Sequence, residues 1–366
     1  MASQMDKDTF LNFYKDTMLG YSQNFQNYTL QLMKEKEKVS FDNQLTINES
    51  HSAEYFEKTN AIAATSSQER FARFYEYIEF HKLYKYSVPL FYEFSDGGDI
   101  AKAITLSDSI LFDYEKFKPS FMIPTVLGED APLYIIEGSD VYIKFVVQKH
   151  YRTYEDILIN YRFPIIIYFN NECKILEIRY DSPRHDPTFS RGSNKQLVID
   201  AIKWIKDNLG INLFICEHFN LIANLKADTD GDTKIYKQMM ELKSGGSAEL
   251  TASADSDYIL PFIGELRELI SENDELFKNS PDLKALLYQY LDEKEDTTNY
   301  PYIYIKRVKP VDTDSYLVKI TFDFFDSRLT LLQHITGDCK DLGRERMNDA
   351  IKYFCESSSF ARGDKI

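Results

Sequence analysis

The chain has 366 residues, 43% hydrophobic and 14% aromatic, with a net charge of −15 and a pI near 5.0. Such an aromatic share excludes a disordered chain and supplies material for a sizeable core, in one large or two smaller domains. The acidic balance disfavours indiscriminate coating of phosphate backbones, so nucleic acid would need a local basic patch.

From the N-terminus, Asp6 to Lys38 carries Phe10, Phe13, Met18, Tyr21 and Phe25 at helical spacing. Met1 to Phe13 lacks the apolar run of a signal peptide. Ser67 to Tyr86 is expected as a second amphipathic helix, and Val88 to Phe94 as a strand ended by Asp96-Gly97-Gly98. Residues 1–132 form a mixed, largely helical region on this reading.

At Leu133 the character changes. Leu133–Ile136, Val141–Gln148, Phe163–Phe169 and Lys174–Tyr180 are β-rich, with hairpin-turn residues at Asn170-Asn171. Phe163–Phe169, the longest strongly apolar run, is too short to span a bilayer. A helix follows, opened by the Ser-x-x-Gln capping box of Ser193 and Gln196 and closed by Gly210. With the strand Leu213–Cys216, this makes a first unit over residues 133–225.

Residues 226–257 are expected to form an acidic, Ser/Gly-rich linker or long loop, interrupted by a short helix near Lys234 to Leu242. Two helices follow, about Leu260 to Lys278 and from Ser280-Pro281-Asp282 to Glu293. Tyr302–Val308, Tyr316–Phe325 and Arg328–Ile335 then answer the earlier strands. At a constant offset, Val198, Ala201, Ile202 and Ile205 match Met347, Ala350, Ile351 and Phe354. The expected fold is therefore α+β: a duplicated strand–strand–strand–helix unit forming antiparallel sheet backed by helices, with the second copy in residues 258–366.

The chemistry gathers before the first unit's helix. Arg184, His185, Arg191, Ser193 and Lys195 surround a helix N-terminus, a setting suited to an anion. Arg344 and Arg346 form a reduced counterpart. The competing reading is a solvated loop whose arginines pair with Asp181 and Asp186. Asp156, Glu172 and Lys174 can be written as a metal-nuclease pattern, though Glu172 falls in a turn. Asp228, Asp230 and Asp232 fail a calcium-loop register, with Met239 where the bidentate Glu belongs. Cys216 and His218 lack partners at metal spacing. Walker, dinucleotide-binding and serine-hydrolase motifs are all missing, so no cofactor or catalytic residue is expected.

Four scattered cysteines (Cys173, Cys216, Cys339, Cys355) read as reduced thiols of a cytoplasmic protein. The aromatics Tyr142, Tyr161, Tyr168, Tyr302, Tyr304, Phe322 and Phe324 suit either a core or base stacking. The first functional expectation is a non-catalytic binding or assembly protein with a protein partner or a second copy. The alternative is a nucleic-acid-binding or processing component contacting phosphates through the Arg184–Lys195 loop. No membrane association is expected.

Overall fold

The computed structural model describes residues 16–17, 28–29, 68–95, 98–105, 110–111, 126–129, 132–182, 191–217, 221, 224–225, 232–241, 246–251, 261–297, 299–308, 315–324, 328–335, 343–357 and 360–366. The chain divides into two compact units. The first comprises residues up to Ile215 with Lys340–Asn348 and Asp364–Ile366; the second comprises Cys216–Cys339 and Asp349–Gly363.

After the helical residues 16–17 and 28–29, the first unit contains α1 (Gln68–His81) and β1 (Tyr86–Phe94), followed by α2 (Ile100–Thr105) and β2 (Ile110–Leu111). Then come β3 (Leu133–Glu137), β4 (Asp140–Arg152), β5 (Leu158–Asn170), β6 (Ile175–Tyr180), α3 (Arg191–Leu209) and β7 (Ile211–Glu217). β2 lies parallel to β3, and β3, β4, β5 and β6 form an antiparallel meander. β1 then pairs antiparallel with β6 along Tyr86–Phe91 and with β7 along Leu90–Phe94.

β4 and β5 are paired along almost their whole length, from Val141↔Phe169 to Arg152↔Leu158. Tyr161 to Asn170 is buried without a break, as is all of β6. Strands covered on both faces read as continuous apolar runs rather than alternating ones, which is what Phe163–Phe169 shows. The adjacent residues Lys144 and Phe145 point to opposite faces. Lys144 meets Glu76 and Glu79 of α1, while Phe145 packs edge-on against Trp204 of α3, with ring centroids 4.7 Å apart. The meander is thus covered by α1 on one face and α3 on the other.

The second unit contains β8 (Thr233–Glu241), β9 (Ser247–Thr251), α4 (Pro261–Glu272), α5 (Asp274–Phe277), α6 (Pro281–Thr297), β10 (Tyr302–Arg307), β11 (Tyr316–Phe324) and β12 (Leu329–Ile335). Its sheet runs β9-β8-β10-β11-β12, antiparallel throughout. Ile303, Ile305, Val318, Ile320 and Leu332 are fully buried on its inner face. The helical segment packs there through Ile270 and Leu291 against Met240, with Leu250, Leu266, Phe277, Leu287 and Tyr288 around them.

The last helix, α7 (Glu345–Glu356), is divided: its residues through Asn348 belong to the first unit, and those from Asp349 to the second. Asn348 bonds Tyr142 and Arg179, whereas Asp349 accepts from Arg307 and Tyr316. The C-terminal strand β13 (Ala361–Lys365) follows, and Ile366 N–H donates to the Leu213 carbonyl.

The duplicated strand–strand–strand–helix expectation is overturned by this architecture. Extended antiparallel sheet dominates, and the two strand sets are not equivalent units. β4 and β5 have 13 residues each, against 6 and 9 for β10 and β11. α3 lies within one unit, whereas α7 contributes to both. The expected linker also carries two strands, β8 and β9. The helix expected near Lys234 is β8 itself, extended because it pairs with β10 on one side and β9 on the other. The expected Asp6–Lys38 helix falls almost entirely outside the described residues. Among the described residues no helix is long and apolar enough to cross a membrane.

Candidate functional site

The expected anion site is only partly placed. Arg184 and His185 lie outside the described residues. Arg191 is the first residue of α3, so the helix begins two residues before the Ser193 capping box. Lys195, in its first turns, is exposed. Arg344 and Arg346 are buried instead of displayed on a loop. Arg344 N–H donates to the His81 carbonyl at 3.0 Å and Nη1 to the Phe80 carbonyl at 3.0 Å, while Nη2 meets the Glu137 carboxylate. Its guanidinium also lies 4.0 Å from the Tyr142 ring centre. These contacts come from elements far away in sequence, so the local Arg-rich string gave no sign of them.

The nuclease pattern is not assembled either. Asp156 sits in the β4–β5 turn paired with Arg152, and Glu172 in the β5–β6 turn. The 13 residues of β5 separate them, about 40 Å of extended chain. Two carboxylates so placed cannot share one ion. His218 and Asp228–Gly231 are outside the described residues. Cys216 is a buried free thiol, but Cys173 and Cys355 are each in disulfide form, contrary to the expectation of reduced cysteines. Disulfides belong to oxidising settings, so cysteine usage no longer argues for the cytoplasm.

Two buried polar clusters organise the first unit. In one, Glu79 accepts bidentately from Arg162, Nε to Oε1 at 2.8 Å and Nη2 to Oε2 at 2.7 Å, and also from Lys144 Nζ at 2.9 Å. Arg162 and Lys144 both reach Glu76 as well. Burial pushes the Glu79 carboxyl up, but Arg162 and Lys144 outweigh it and hold the group at about 2. In the other, Tyr142 and Tyr168 stack at 4.8 Å, with Arg344 over the first ring and Arg179 over the second. Asn348 ties the pair together, donating to Tyr142 Oη at 2.9 Å and accepting from Arg179 Nη2 at 2.8 Å. Glu137, at this cluster's edge, is held at about 2, first by a hydrogen bond from His81 and then by Arg344. Apart from Glu137, which is exposed, and the half-buried His81, both clusters lie in the interior and position secondary structure. Tyr142, Tyr161, Tyr168, Phe322 and Phe324 are core residues, while Tyr302 and Tyr304 are half-buried.

The second unit displays an apolar surface. α6 buries Leu291 and half-buries Lys284, Leu287 and Tyr288, leaving Leu283, Leu286 and Tyr290 at 49%, 61% and 53% exposure. These three stand at i, i+3 and i+7, one side of a helix. Sequence spacing alone could have found them, but it could not tell which of the two apolar stripes faces the sheet. Among the side chains described along α6, Asp282, Asp292 and Glu293 outnumber Lys284, and Lys284 is bonded to Asp274 at 2.5 Å. No protein-family model, curated protein or solved structure matches the chain.

Proposed function

We propose that this is a non-catalytic binding protein whose α6 docks a basic amphipathic helix from a protein partner. The observation that carries the reading is the exposed Leu283–Leu286–Tyr290 stripe on an acidic helix. Large apolar groups left in line on a surface mark contact sites, and helix-on-helix recognition uses anchors at this spacing. The acidic surround selects the occupant. A lysine-rich helix would gain from it, whereas a second copy of α6 would bring like charges together. Interior confinement of the ion-paired clusters supports binding over catalysis.

Fluorescence anisotropy of a labelled 18-residue Leu/Lys amphipathic helix against the full-length protein tests this. A scrambled peptide of the same composition serves as control. Binding of the amphipathic peptide alone, lost in Leu283→Asp/Leu286→Asp, is the expected result. Equal binding of both peptides, or indifference to the double substitution, refutes it. Concentration-dependent dimerisation abolished by the same substitutions would assign the stripe to a second copy instead.

A further inference from the structure

A different surface of the second unit points to a second ligand. β10 is flanked by β8 and β11, and alternate residues of these strands face away from the buried Ile303, Ile305, Val318 and Ile320. On that outward face Lys237, Tyr304 and Lys319 stand directly opposite one another across three strands. The next row holds Lys234, Lys306 and Leu317. Tyr302 lies two residues from Tyr304, their rings edge-to-face at 5.9 Å. Lys319 Nζ sits 3.7 Å from the Tyr302 ring centre and 5.5 Å from that of Tyr304; Lys237 Nζ is 5.7 Å from Tyr304. Four lysines and two tyrosines thus share one face of a protein whose net charge is −15.

We infer that this face binds single-stranded nucleic acid, with Tyr302 and Tyr304 stacking two unpaired bases and Lys237, Lys306 and Lys319 contacting phosphates. Aromatics on a central strand, spaced about 7 Å apart along it, offer π-faces to neighbouring bases, and flanking lysines track the backbone. A duplex keeps its bases stacked on each other and offers such a platform only its phosphates.

One acidic group stands in the way and makes the idea testable. Glu249 on β9 pairs with Lys237 and accepts from the Tyr302 hydroxyl. An incoming phosphate must displace this carboxylate, so it acts as an internal competitor. Glu241 and Asp323 place further negative charge on the flanks of the sheet.

The test uses full-length protein, a fluorescent twelve-residue oligothymidine and a hairpin duplex of equal charge, by anisotropy at 50 and 200 mM salt. The single strand should bind more tightly, and Tyr302→Ala/Tyr304→Ala should weaken it at least ~10-fold. Tyr302→Phe/Tyr304→Phe keeps both rings and should stay within about threefold of the parent. Lys306→Ala and Lys319→Ala should each lower the salt slope by about 0.7. Glu249→Gln, which removes the competitor, should tighten binding. The inference is overturned by no binding at 50 mM salt, equal loss in the Phe and Ala variants, duplex preference, or weaker binding by Glu249→Gln. These outcomes do not bear on α6, whose substitutions leave this face intact.

Discussion

Lys144 Nζ and Glu79 Oε2 lie 2.9 Å apart, with both side chains wholly removed from solvent. Breaking such a pair leaves the remaining charge buried and uncompensated. Lys144→Met is expected to destabilise the first unit by ~3–5 kcal/mol, measured by urea unfolding followed through Trp204. That residue is the sole tryptophan and lies in the first unit, so its signal reports there. Glu79→Leu added to Lys144→Met should recover part of the loss, because Arg162 then retains Glu76 as a partner.

The same cluster gives stability a pH dependence of definite sign. Glu79 titrates at about 2 in the folded protein, below its ordinary value of 4.5. A lowered folded value means stability that is fully present above 4.5 and is lost as pH falls from 4.5 toward 2. The urea midpoint of the first unit should therefore drop across that interval. Glu79→Gln should flatten the dependence while lowering the midpoint at pH 7.

Gly128 adopts φ +87°, and a Cβ there would stand 2.7 Å from Trp204 Cδ1. Gly128→Ala is expected to destabilise by ~1–3 kcal/mol, from backbone strain at positive φ and a displaced indole. A changed Trp204 emission maximum in the folded variant would report the displacement. An unchanged spectrum and stability would contradict the packing described.

Arg344 joins a bidentate-capable guanidinium to a ring face, a pair of roles that lysine cannot fill together. Arg344→Lys should cost about 1–3 kcal/mol through the lost Phe80 carbonyl or Glu137 contact. By contrast, Leu286→Lys on the exposed side of α6 should change stability by no more than ~0.5 kcal/mol. Thermal unfolding of the two variants side by side checks both.

The strands of the meander were legible because burial on both faces writes continuous apolar runs, as in Phe163–Phe169. All eight residues of the two matched helix stripes, from Val198 to Phe354, are buried, yet equal stripes did not mean equal units. Amphipathicity records that a side is covered, not what covers it. β8 imitates a helix in sequence for a specific reason. The register slips between Tyr304 and Ile305, so that Ile305 opposes Ile235 while Ile303 opposes Gln238. The inward positions of β8 are therefore three residues apart, which imitates a helical turn. Arg344 and Arg346 read as an anion cluster in sequence, because both are buried by the fold and the partners of Arg344 (Phe80, Glu137 and Tyr142) lie more than two hundred residues away. Lys237 and Lys319 carry no local signal in sequence, because they meet only across the register of β8, β10 and β11.

The divided α7 sets a schedule for biosynthesis. The first unit's early residues leave the ribosome well before Arg344 and Asn348, which close its Tyr142–Tyr168–Arg179 cluster, and before Ile366, which bonds β7. Between Ile215 and Lys340 the ribosome must add the 124 residues Cys216–Cys339, roughly 6–25 s at ordinary elongation rates. Over that interval the nascent chain holds an unfinished sheet with strongly apolar strands. Chain termination anywhere in the second unit would strand it in that state, a natural substrate for chaperones and proteases.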